Sequence, residues 1–193
     1  MELYGNLINR IEEGRKLNRD IQVGDDITMY HWSDRTCYYV TDVIDQKHIM
    51  VKEYHVCADR TKPGGMGHQD WVYFKTQKEM WEYLNQDKDV FNYNLDEAKE
   101  SLPEEWVYRY NKWYRTYWYG KTFLDDKKED YRKMCAEYGE PEKVEEYYNK
   151  WYEANFTEKE RKKLSEGKAV PHYHPLESKI SFGKRDYYYD WEF

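Results

Sequence analysis

The sequence has few of the features on which secreted and membrane proteins depend. Its three cysteines, Cys37, Cys57 and Cys135, are odd in number and irregularly spaced, which argues against a secreted disulfide scaffold. No apolar run approaches the length of a transmembrane helix. The N-terminal residues lack the apolar core and the cleavage site of a secretory signal peptide. We therefore expect a cytoplasmic protein of the host cell in which it is made.

Motifs of catalysis and cofactor binding are also missing. The chain has no G-x-S-x-G, Walker or Rossmann fingerprint, and no C-x-x-C or H-E-x-x-H spacing. Cys37, His55, Cys57 and His68 are candidate metal ligands, but no ligand spacing supports them, and core cysteines with half-exposed histidines explain them better. We predict a protein that is not an enzyme and that holds no cofactor or metal.

Charge of one sign is not concentrated anywhere. The net charge is -7, with 31 basic and 38 acidic residues spread along the chain. This distribution gives little support to a mimic of DNA and argues against tight nonspecific binding to duplex DNA.

Aromatic side chains are what the sequence has in abundance. Charged residues make up 36% and the mean hydropathy is -1.21, values that would suit a disordered chain. The 22 Tyr, 8 Trp and 6 Phe argue the opposite, because disordered chains are poor in such residues. We expect a folded protein whose core is built largely from aromatic rings.

The first part of the chain has the texture of β-strands followed by a helix. An apolar stripe predicts an N-terminal helix over residues 2–17. Runs rich in β-branched and aromatic residues predict strands over 27–31, 38–44, 48–56, 71–74 and 179–182. Thr76 and Glu79 are spaced as a capping box for a helix ending near Leu84.

The middle of the chain favours helices. High helix propensity, with Pro103 and Pro141 suited to first helical turns, predicts helices over 104–119, 125–138, 141–154 and 157–166. The pentapeptide Tyr-Asn-Lys-Trp-Tyr occurs at 110–114 and again at 148–152, which suggests related helical packing. Residues 167–176 are predicted to form a loop.

These elements predict an α+β fold. We expect a small twisted antiparallel sheet, or a barrel-like core, with a helical insertion. The predicted parts of this single compact domain are an N-terminal helix (1–20), a β-rich core (21–75 and 178–193) and a helical, aromatic-rich insertion (76–177). The aromatic C-terminus is expected to pack onto the N-terminal strands.

Several short motifs carry a resemblance to a known group of proteins. They are Val23-Gly24, His31–Arg35, Tyr38–Val43, Gly64–Gly67, Ile180–Gly183 and Tyr187–Phe193. Together they resemble small uncharacterised proteins of phages, prophages and mobile elements of gut Firmicutes. The resemblance covers roughly residues 20–75 and 178–193, and the insertion is absent from the shorter members. It implies an accessory gene product, and such products often act on host proteins, including defence nucleases such as CRISPR effectors.

The leading functional hypothesis is therefore a non-catalytic binding protein that engages a host protein. Its predicted surface is the aromatic and basic stretch that starts at Trp106, because Trp, Tyr and Arg dominate protein-binding hot spots. The candidate residues are Trp106, Arg109, Tyr110, Lys112, Trp113, Arg115, Tyr117 and Trp118. The aromatic members of this stretch recur at helical spacing, and this pattern also fits a helical stripe that faces a core.

Two alternatives belong to other functional classes. A nucleotide or nucleic-acid binder would hold phosphate and stack a base with Trp32, Arg35, Arg60, Lys62, Gly64, Gly65, His68, Arg185 and Tyr187. A structural, virion-associated protein would self-associate and have no cellular partner. The sequence leaves the oligomeric state open.

Overall fold

A computed structural model describes residues 20–31, 34–62 and 70–188. The described chain forms two compact units. The first contains the described residues up to Arg115 and those from Pro175 onward, and the second is Thr116–His174. The N-terminal helix predicted over 2–17 lies outside the described residues.

The fold is α+β, as the sequence predicts. Nine strands are described: β1 (Asp26–Tyr30), β2 (Arg35–Asp45), β3 (His48–Glu53), β4 (His55–Ala58), β5 (Trp71–Phe74), β6 (Glu104–Arg109), β7 (Lys112–Tyr119), β8 (Val170–Pro175) and β9 (Lys179–Phe182). Four α-helices accompany them: α1 (Gln77–Leu84), α2 (Lys121–Glu137), α3 (Val144–Asn155) and α4 (Glu158–Ser165). None of the helices in these described stretches is both long and apolar enough to cross a membrane.

Seven strands form one antiparallel sheet in the order β8-β7-β6-β3-β2-β1-β9, and β4 pairs with β5 in a separate ribbon. The large sheet is open, with β8 and β9 at its edges. The barrel-like alternative is therefore wrong. The break between β3 and β4 falls at Tyr54, where the sequence predicts one continuous strand.

The core of the first unit lies on one face of β1, β2, β3 and β6. It consists of Ile27, Met29, Tyr38, Val40, Ile49, Val51 and Trp106. Cys37 and Tyr39 alternate with Tyr38 and Val40 along β2 and pack on the opposite face with Tyr54. Both faces of β2 are therefore buried from Cys37 to Val40, which explains the apolar run at these four positions.

The helix predicted over 104–119 is wrong, because this segment is the hairpin β6–β7. β6 pairs with β3 so that Trp106 lies opposite Ile49, and the Trp106 side chain has no solvent exposure. The turn consists of Tyr110 and Asn111, which have positive φ angles of 49° and 62°. Positive φ at both central residues is the pattern of a type I′ hairpin turn, whose twist matches that of the strands. Burial in the sheet overrides the helix propensity of the segment.

Other predictions of secondary structure have mixed outcomes. The capping box is confirmed, because Glu79 N donates to the Thr76 hydroxyl and Thr76 N donates to the Glu79 carboxylate. Three predicted helices correspond to helices of the structure. The helix predicted over 125–138 is α2, and the one predicted over 157–166 is α4. The helix predicted over 141–154 is a 3-10 turn (Pro141–Lys143) followed by α3. The loop predicted over 167–176 is wrong, since β8 occupies most of it.

The C-terminal segment packs onto the N-terminal strands, as predicted, up to Tyr188. Arg35 N donates to Tyr188 O at 2.9 Å, and Asp186 N donates to the Thr28 hydroxyl at 3.2 Å. Residues 189–193 lie outside the described part of the chain.

Burial of the Trp106 ring predicts a large effect on stability. We expect Trp106→Ala to lower the free energy of unfolding by about 3–5 kcal/mol, because it removes a fully buried indole from the core. Urea unfolding followed by circular dichroism measures the change. The control is Trp118→Ala, which truncates a Trp that is 56% exposed and should cost about 0.5 kcal/mol. Equal losses for the two variants would contradict the burial of the Trp106 ring.

Candidate functional site

The most exposed aromatic residue among the described large apolar side chains is Tyr110, at the tip of the β6–β7 hairpin. Its exposure is 89%, and Arg109, Asn111 and Lys112 beside it are also exposed. A left-handed backbone costs a non-glycine residue roughly 1 kcal/mol, and Tyr is not a residue that type I′ turns favour. An exposed ring held in an unfavourable backbone conformation between two cations is typical of a binding residue, since strain of this kind concentrates at functional sites. We define Arg109, Tyr110, Asn111 and Lys112 as the hairpin tip.

Three of the predicted partner-binding residues pack within the first unit and are buried to different degrees. Trp106 is fully buried, which corrects its assignment to a binding surface. Trp113 is half-buried, with its ring 5.4 Å from Tyr108 and 5.5 Å from Phe182. Arg115 Nε lies 2.8 Å from a Glu104 oxygen. The helical spacing assumed for this stretch is wrong, because β6 and β7 are strands, in which side chains alternate between the two faces.

Tyr117 and Trp118 lie on the part of β7 that belongs to the second unit. Their exposures are 41% and 56%. The Tyr117 ring contacts the edge of His174, with the ring centres 4.9 Å apart. Like the hairpin tip, these two residues are exposed, but they belong to the second unit.

A polar cluster borders the core of the first unit near Arg115. Glu104 accepts hydrogen bonds from Trp106 Nε1 at 3.0 Å and pairs with Arg115. Burial, followed by the charge of Glu104, raises the pKa of Glu53, and Arg115 opposes this change. Burial also raises the pKa of the Tyr38 hydroxyl, to which Arg115 donates at 3.5 Å. The Arg115 cation balances the carboxylates, so the cluster serves to hold the indole and the ends of the strands in place.

The cations predicted to hold phosphate are engaged by acidic side chains. Arg35 pairs with Asp186 at 2.7 Å, and its guanidinium lies against the rings of Tyr30 and Tyr188. Arg60 pairs with Asp87 and lies 4.9 Å from the Phe91 ring. Lys62 pairs with Asp70 at 2.6 Å. A phosphate would compete with a carboxylate for each of these cations.

Arg185 differs from the other three, because it packs on aromatic rings. Its guanidinium lies 4.6 Å from the Tyr73 ring and 5.2 Å from the Tyr54 ring. Burial raises the pKa of Tyr73 to about 12, so this phenol stays neutral. Tyr187 N donates to the Tyr73 hydroxyl, and the Tyr187 ring packs on Trp71. These contacts hold the C-terminal segment against β5 and Tyr54.

The remaining residues of the predicted anion site are Trp32, Gly64, Gly65 and His68. They lie outside the described residues. The anion-binding alternative therefore stays a prediction for these four residues.

The cysteines and histidines considered for metal binding are placed as follows. Burial raises the pKa of the Cys37 thiol to about 11, so it is a neutral core residue. Burial raises the pKa of Cys57 and lowers that of His55, which disfavours the charged form of each. Within residues 20–31, 34–62 and 70–188, no three His, Cys, Asp or Glu side chains are grouped closely enough to hold a metal ion.

The second unit contains a histidine in an aromatic stack. The His172 ring lies 4.5 Å from the Tyr119 ring and 5.0 Å from the buried Phe156 ring. Its Nε2 atom is buried and has no hydrogen-bond partner among the described residues. Burial lowers the pKa of His172. The charge of Glu160 acts to raise this pKa, and the charge of His174 acts to lower it further. His172 and His174 form an H-x-H pair that is visible in the sequence. The sequence gives no sign of the stack, because Tyr119 and Phe156 are remote in the chain.

Comparison of the chain with models of protein families, with curated proteins and with solved structures finds no match in any of the three. The resemblance to proteins of mobile elements stays a prediction.

The lowered pKa of His172 predicts that stability falls with acidification. The folded state holds His172 neutral, whereas the unfolded chain binds a proton below pH ~6.5. Stability is therefore present above that pH and is lost as the pH falls toward the folded-state pKa. His172→Phe keeps the ring contacts and removes both the proton and the unpaired nitrogen. We expect it to stabilise by about 1 kcal/mol at pH 8, and by more at pH 5.

Urea unfolding at pH 8, 7, 6 and 5 measures this difference. His174→Gln is the control, because His174 is exposed and a glutamine can still bond to the Tyr119 hydroxyl. A difference between His172→Phe and the parent that is the same at every pH would contradict the assignment of His172.

Proposed function

We propose that this chain is a non-catalytic binding protein of mobile-element origin that engages a host protein through the hairpin tip. The observation that carries the proposal is Tyr110, which combines 89% exposure with a positive φ angle of 49°. A turn optimised for stability alone would have Asn or Gly at this position. Tyr with a neighbouring Arg is also the composition of protein-binding hot spots.

The chemistry of the hairpin tip defines the partner surface. Arg109 and Lys112 flank Tyr110, so the partner needs a pocket for a phenol ring with carboxylates at its rim. A rigid hairpin presents these side chains with little loss of backbone entropy on binding. The origin in a mobile element rests on the resemblance alone, and it makes a defence nuclease, such as a CRISPR effector, the first candidate partner.

A protein partner is better supported than a nucleotide. Arg35, Arg60 and Lys62 already pair with aspartates, and the net charge of -7 disfavours a nucleic-acid backbone. The hairpin tip itself supplies only Arg109 and Lys112 as cations, which is fewer than tight phosphate-backbone binding requires.

Tyr110→Asn should separate binding from folding. Asn favours the left-handed conformation that Tyr110 adopts, so we expect the free energy of unfolding to rise by about 0.5–1 kcal/mol. Loss of a hot-spot ring worth about 2 kcal/mol should weaken partner binding about 30-fold. Affinity capture from a nuclease-treated Firmicute lysate, quantified by mass spectrometry, measures the binding.

The exposure-matched control is Tyr138→Asn, which removes a tyrosine that is 75% exposed in the second unit. It should capture as much partner as the parent chain does. Undiminished capture by Tyr110→Asn, or recovery of nucleic acid in place of a protein from lysate without nuclease, would overturn the proposal.

A further inference from the structure

The second unit carries an open groove between α2 and α3. Its volume is about 390 Å³, within the range of small-molecule sites. Residues from both helices line it: Tyr131, Met134, Tyr147, Lys150, Trp151, Ala154 and Asn155. Its floor is mainly aromatic and aliphatic.

The aromatic floor is held in place by contacts within the second unit. The Trp151 ring lies 5.7 Å from the buried Phe156 ring and 6.4 Å from the Tyr131 ring. The Tyr131 ring in turn meets Tyr148 edge-on at 6.3 Å. Because the rings support one another, the groove exists without a ligand to shape it.

One cation lines the groove, and no acidic side chain does. The Lys150 side chain forms no ion pair or hydrogen bond with the residues that the structure describes. Lys127 lies 5.9 Å from both the Tyr131 and Trp151 rings. Tyr147 directs its hydroxyl to Glu140, to which it donates at 3.1 Å. Lys127 itself pairs with Asp130 at 3.6 Å. The groove therefore has an apolar floor and one cation, Lys150, in its lining.

We propose that this groove binds a small organic carboxylate with an aromatic, ring-sized apolar part. The apolar part packs on Trp151, Met134 and Tyr131, and the carboxylate pairs with Lys150. Charge complementarity selects the occupant, because an uncharged ligand of the same shape leaves Lys150 unpaired. The site lies wholly within Thr116–His174 and is independent of the hairpin tip, so failure of one proposal leaves the other intact.

A pair of probes that differ only in charge tests this site. Indole-3-propionate carries the carboxylate, and indole-3-propionamide replaces it with a neutral amide. We expect isothermal titration calorimetry on the full chain to show the carboxylate binding about tenfold more tightly than the amide. The same affinity for both probes, or no binding of either, would overturn the proposal.

Two variants locate the binding. Lys150→Gln should remove the preference for the carboxylate, whereas Ala154→Trp should fill the groove and abolish binding of both probes. Lys159→Gln, which removes an exposed lysine of α4, is the control and should keep the tenfold preference. Circular dichroism confirms that each variant is folded. A preference that survives Lys150→Gln, or binding that survives Ala154→Trp, would place the ligand elsewhere and contradict the proposal.

Discussion

The burial of the Trp106 ring decides the conformation of the chain around it. The indole lies 5.0 Å from the Tyr38 ring, its N–H donates to Glu104, and its strand pairs with β3. Burying a ring of this size with its polar atom satisfied outweighs the helix propensity of the segment. The pairing fixes where β6 ends, and thereby the turn that displays Tyr110. The exposed tip thus depends on the buried ring four residues before it.

The repeated pentapeptide shows the limit of predicting secondary structure from local sequence. Tyr-Asn-Lys-Trp-Tyr forms a turn and the start of a strand at 110–114, but lies within α3 at 148–152. Features with a local cause were predictable, such as the Thr76 capping box. The hairpin β6–β7 was not, because its stability comes from β3, which is remote in sequence. The high content of aromatic and β-branched residues over 106–119, with Asn111 as a turn residue, was the signal for it.

The candidate site was predictable only in part, for the same reason. The sequence marks Arg109, Tyr110 and Lys112, which are indeed exposed, yet it groups them with the buried Trp106. It could not show that Arg35 meets Asp186 or that Arg60 meets Asp87, since each pair joins distant segments. Whether a cation is available to bind a ligand depends on such partners, and a local sequence pattern does not show them. The groove between α2 and α3 likewise exists only once the two helices pack.

The central claim is that the hairpin tip contacts a host protein, and photocrosslinking tests it most directly. A photoreactive p-benzoylphenylalanine replaces Tyr110 in one variant and the similarly exposed Tyr138 in another, and both are irradiated in host cells. We expect one crosslinked host protein from position 110 and none from position 138. Crosslinks to the same proteins from both positions, or from position 138 alone, would contradict it.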